Sequence, residues 1–100
     1  MSMVNSIRFI PKDGREETVF KEIAKIYNTL DGALEKRLVR LGDGEYASVI
    51  IWKSMDEFLD VLNRDIRLID VLRPLVKSYN DGEKFHSFSG PTVDLSMYDN

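Results

Sequence analysis

Among its 100 residues the chain has no cysteine, one histidine, one tryptophan and three prolines. Without thiols there is no disulfide framework, no thiolate nucleophile and no zinc site of the cysteine type, and a reducing cytoplasm is the expected location. A charge excess is lacking too. The net charge of −3 gives no general attraction to nucleic acid phosphates or anionic lipid. No apolar run approaches the roughly 20 residues that a membrane helix needs. The start, Met1 to Asn5, lacks the basic and then apolar segment of a signal peptide. No Walker loop, nucleophile elbow or metal-ligand spacing is present, and Gly42-Asp43-Gly44 is hairpin chemistry. Neither nucleic acid nor a membrane is an expected partner.

What is present is enough apolar content, 43%, for a real core, and 31% charged residues for a solvated surface. These proportions predict one folded domain over residues 1–100. The densest signal is Ala47 to Phe58. A β-branched run ends at Trp52, and after one lysine Ser54 and Glu57 form a capping box that opens a helix. Upstream, Val4 to Ile10 reads as a strand stopped by Pro11 and Asp13-Gly14. Asp13 and Glu16 predict a second cap. Apolar residues from Val19 to Leu30 then recur at helical spacing, giving a helix to about Thr29 that Asp31-Gly32 stops. Ala33 to Leu41 and Glu45 to Trp52 form a hairpin. Met55, Phe58, Leu59 and Leu62 share one side of the helix from Ser54. Asp65 is expected to cap a further short helix that Pro74 breaks. Glu83 to Phe88 reads as the fourth strand, with an extended tail beyond Gly90-Pro91.

The order is β-α-β-β-α-β, the ferredoxin-like split βαβ arrangement, with helices on one face of a four-stranded antiparallel sheet. On the third strand Ala47, Val49 and Ile51 point one way, and Tyr46, Ser48, Ile50 and Trp52 the other. Neither set is strongly polar, whereas a solvated face would alternate with charge. A homodimer joined through the uncovered sheet faces is the expected assembly.

Three features together resemble the antibiotic biosynthesis monooxygenase family: Pro11-Lys-Asp-Gly14 leading into a Glu-rich helix, the hairpin, and Val49-Ile-Ile-Trp52-Lys-Ser54-Met-Asp-Glu57-Phe58. The resemblance covers roughly residues 4–94. It implies a dimeric α+β barrel. It also implies a range of activities, from oxidation of polycyclic aromatics by O₂ without metal or organic cofactor to the oxidative opening of haem. The haem-degrading branch uses an asparagine on the first strand, a tryptophan ending the third and a histidine on the next helix. Asn5 and Trp52 match the first two. No histidine occurs between Ser54 and Tyr79, so haem degradation is disfavoured and no cofactor is expected.

The candidate catalytic residues are then His86, the one side chain that titrates near neutrality, and Asn5, whose amide suits a substrate oxygen. The candidate ligand-binding residues are Trp52, Tyr27, Tyr46 and Phe58. Each has a plainer reading beside the functional one. Trp52 also reads as an anchor of the following helix, and a lone strand histidine is more often structural. The tyrosines read equally as core residues with hydroxyls at its edge. Asp56 and Glu57 belong to the positive end of a helix rather than to an acid pair. The leading expectation is a small cofactor-independent monooxygenase, or a related enzyme, acting on an apolar and aromatic small molecule. The alternative is a non-catalytic small-molecule-binding or regulatory dimeric module.

Overall fold

Alternating apolar residues build β1 (Met3–Phe9), which buries Met3, Ile7 and Phe9 on one side. The computed structural model describes residues 2–62 and 68–98. After β1 the backbone turns at Gly14, in a left-handed conformation with φ 78°, and the Arg15 N–H donates to the Lys12 carbonyl at 3.0 Å. The helix α1 (Glu16–Tyr27) follows, burying Val19 and Ile23. The expected Asp13 cap does not form. Arg15 occupies the capping position without a side-chain bond, and Asp13 instead pairs with Lys77 at 2.8 Å. The left-handed turn at Gly14 separates Asp13 from the helix, leaving Glu16 and Glu17 in its first turn to meet the positive end. At the other end the Lys36 ammonium donates to the Tyr27 carbonyl at 2.8 Å, closing α1 two residues before the expected stop.

The strands β2 (Ala33–Gly42) and β3 (Glu45–Trp52) form the hairpin, and β3 has the bounds its sequence predicts. Ser54 does cap α2 (Met55–Leu62): its hydroxyl accepts from the Glu57 N–H at 3.3 Å. A Cβ at Gly32 would meet the Glu57 side chain, whose carboxylate end would have to move aside. The expected helix start at Asp65 lies outside the described residues. From Leu68 the helix α3 (Leu68–Leu72) runs until Pro74, which sits in a single 3₁₀ turn at Arg73–Leu75.

The last strand, β4 (His86–Pro91), lies later than the expected Glu83–Phe88. Asp81 accepts the Glu83 N–H at 2.9 Å and so draws residues 81–83 into a turn. Pro91 is tolerated because β4 is an edge strand, where a missing donor costs little. The tail is not extended; it closes in a short 3₁₀ turn at Leu95–Tyr98.

The sheet order is β2-β3-β1-β4 with every neighbouring pair antiparallel, which is the ferredoxin-like α+β fold with the short α3 added. Two apolar clusters lie between sheet and helices. One gathers Phe9, Val19, Ile23, Tyr46, Leu72 and Val76; the other gathers Met3, Leu30, Ile50, Trp52 and Phe58. No described helix is long and apolar enough to cross a membrane.

Candidate ligand cavity

The register decides which side chains can meet. Asn5 faces Ile50 on one side and Ser89 on the other, while Ile7 faces Ser48 and Ser87. Alternation then puts Asn5, Ile7, Ile50, Trp52, Ser87 and Ser89 on the helix side of the sheet. Between these strands and the helices lies a cavity of about 890 Å³. Its helix wall includes Ile26 of α1, Phe58 and Leu62 of α2, and Leu68 of α3. This size suits a small organic ligand, and apolar lining with few polar groups is the usual make-up of such sites.

Trp52 is almost fully enclosed, at 1% exposure, and its ring lies 6.0 Å from that of Phe58 in a tilted contact. Trp52 thus packs on α2 and also borders the cavity. Its indole N–H is buried with no hydrogen-bond partner among the described residues. A buried donor left without a partner costs about 1–3 kcal/mol. Asn5, half-buried, lines the same cavity.

The other candidates lie elsewhere. Tyr27 donates to the Arg37 carbonyl at 3.0 Å, so the Ser48 hydroxyl donates to Tyr27 in turn. Burial pushes the Tyr27 phenol above its ordinary range. Tyr46 is buried against Phe9 and edge-on to Phe20, with the Arg40 guanidinium over its ring at 5.0 Å and donating to its hydroxyl at 2.6 Å. Burial raises this phenol as well. Both tyrosines join β2, β3 and α1, and neither lines the cavity.

His86 lies on the opposite face of the sheet. It is paired in register with Arg8, which donates to its Nδ1 at 3.2 Å, and its ring rests on Tyr79 with centroids 4.1 Å apart. The imidazole Nε2 lies 2.8 Å from an Asp81 carboxylate oxygen, off the direction of a hydrogen bond. The Tyr79 hydroxyl donates to Glu45 at 2.6 Å, and Glu45 lies 3.9 Å from Arg8. Burial and then this bond to Glu45 hold the Tyr79 phenol well above its ordinary range. The structure thus brings Asn5, Trp52 and Phe58 together and sets His86 apart in a polar network. Ser87 and Ser89 went unnoticed in the sequence. Their period-two spacing was the available signal, yet it gains meaning only once β4 is in register with β1.

No sequence-family profile and no curated protein matches the chain. Solved structures do resemble it. A candidate antibiotic biosynthesis monooxygenase from Chloroflexus aurantiacus superposes with a TM-score of 0.71 at 11% identity, over 94% of this chain and 95% of its own. SnoaB, a cofactor-independent oxygenase from Streptomyces nogalater, gives 0.68 at 18% identity, over 93% and 94%. Rv0793 from Mycobacterium tuberculosis gives 0.71 at 11%, over 96% and 99%. At these identities the likeness is one of fold, and the fold is that of antibiotic biosynthesis monooxygenase-like proteins.

Proposed function

We propose that this protein binds a flat, apolar aromatic molecule in the cavity beside Trp52 and oxidises it with O₂, without metal or organic cofactor. The observation that carries the reading is the cavity, walled by Trp52, Phe58 and Ile50 and supplied with a polar group by Asn5. Its fold is also shared with a cofactor-independent oxygenase. In the reaction an electron-rich phenol or its tautomer takes up O₂ at a ring carbon. One oxygen atom stays as a new carbonyl, and the other leaves as water with two hydrogens of the substrate. The substrate is therefore its own reductant. The protein's part is to hold and orient the ring and to hydrogen-bond the oxygen on which charge develops.

The same reading includes a homodimer joined through the open sheet face, where Val4, Ala47, Val49 and Ile51 form an apolar strip beside Phe88, which is 66% exposed. A biological joint of this kind buries at least ~1,000 Å² in total. A cytoplasmic location suits a chain without cysteine.

The test is O₂ uptake with a tricyclic anthrone, measured against its spontaneous oxidation. One O₂ consumed per quinone formed, at a rate proportional to protein, is the expected result. Binding without any protein-dependent uptake would favour a second reading, a non-catalytic binding module. One observation speaks for it: His86 and the three buried or half-buried tyrosines Tyr27, Tyr46 and Tyr79 all lie away from the cavity wall.

A further inference from the structure

One wall of the cavity is polar in an ordered way. Ser87 and Ser89, two residues apart on β4, face the cavity on the same side, and Asn5 stands directly across from Ser89 on β1. Strand geometry spaces the two serines roughly 7 Å apart and sets Asn5 about 5 Å from Ser89. None of these three side chains bonds to another described residue, so their donors and acceptors are open. Across the cavity Ile26, Phe58 and Leu62 offer no such group, and the Thr29 hydroxyl there donates to the Ile26 carbonyl at 2.7 Å.

The strip is also uncharged. Among the described residues, the charged ones at the cavity are Glu22, Lys25, Asp70 and Arg73, two of each sign. Lys25 is held by Glu22 at 3.3 Å, and the Arg73 guanidinium lies over the Phe85 ring at 5.7 Å. Hydroxyl and amide groups both donate and accept, so the strip suits carbonyl or hydroxyl oxygens. A carboxylate would meet no cation among the described residues of that strip.

We infer that the Asn5–Ser87–Ser89 strip selects flat apolar ligands that carry two uncharged oxygens along one long edge. This rests on the cavity reading above and deepens it to a ligand class. The edge-strand position of β4 leaves Ser87 and Ser89 exposed, so changing them leaves the fold intact.

Isothermal titration with four small probes tests the inference. In 2,7-dihydroxynaphthalene both oxygens lie on one long edge, and in the 1,5-isomer they lie on opposite edges. Naphthalene has no oxygen, and 2-naphthoate has a charged group. Wild-type protein should bind the 2,7-isomer most tightly. The double variant S87A/S89A should lose about tenfold in affinity for it, as two modest hydrogen bonds imply, and keep its affinity for naphthalene. S87T/S89T, which retains both hydroxyls, should stay near wild type. Equal binding of the 1,5-isomer or of 2-naphthoate, or an undiminished S87A/S89A variant, would overturn the strip while leaving the cavity standing. Failure of all four probes to bind would overturn the cavity reading itself and the strip with it.

Discussion

The two faces of the sheet are made from the same strands and have opposite characters. On the helix side, Trp52, Phe58, Ile50 and Ile7 line a cavity. On the open side, Arg8, Glu45, Tyr79 and His86 are tied to one another, and beside them runs the apolar strip of Ala47, Val49 and Ile51. The chain's one histidine thus sits among partners and away from the cavity, while its one tryptophan sits at the cavity. Each face keeps one buried ring nitrogen without a hydrogen-bond partner among the described residues, the Trp52 indole on one and the His86 Nε2 on the other, so the cavity itself is what sets the helix side apart.

The comparison breaks first at Trp52. Trp52→Ala should cost on the order of 3–5 kcal/mol as a large-to-small change in a core, read by denaturant unfolding. Trp52→Phe should keep the fold and weaken binding of flat aromatics. On the open face, Val49→Asp should weaken the proposed dimer at least tenfold, or about 1.4 kcal/mol, because such a joint would have to bury an unpaired charge. Light scattering at micromolar concentration reads this directly, and wild-type protein that is already monomeric would remove the joint altogether.

Tyr79 gives a smaller effect with a sign that depends on pH. Its phenol is raised above the ordinary value of 10.0, so the folded state accommodates the neutral form. The stability tied to that form is intact below about pH 10 and is lost as pH rises beyond it. Tyr79→Phe should cost about 1 kcal/mol at neutral pH through the lost bond to Glu45 and should flatten the alkaline decline in melting temperature. Smallest of all is Lys77→Ala. Its exposed pair with Asp13 should contribute little. Because Lys77 lowers the Asp13 pKa, that contribution fades as pH falls through the acid range.

Local rules were enough for much of this architecture. The β3 run, the Ser54 cap and the glycine-flanked hairpin each lie within a dozen residues, and each formed where the sequence put it. What failed to show locally was pairing at a distance. The sequence around His86 fits a strand at either of two positions. Only the match of Arg8 with His86 and Ile7 with Ser87 fixes which side chains face the cavity. One residue of slip would have put His86 inside and Ser87 out. Likewise Asp13 had a good helix partner in Glu16 by sequence, and lost it to Lys77, 64 residues along the chain, once the segment after Pro74 paired back onto Pro11. The resemblance read from Val49 to Phe58 anticipated the fold, and the serine strip of the cavity lay beyond its reach.

The cavity beside Trp52 as the ligand site is tested most directly by the protein's own fluorescence, since Trp52 is the only tryptophan. Titration with flat quinones should quench that emission saturably, with Val49→Asp protein responding like wild type if it stays folded, because the change lies on the other face. Emission that falls only in linear proportion to quencher, without saturation across the whole panel, would contradict the account and leave Trp52 as an anchor of α2.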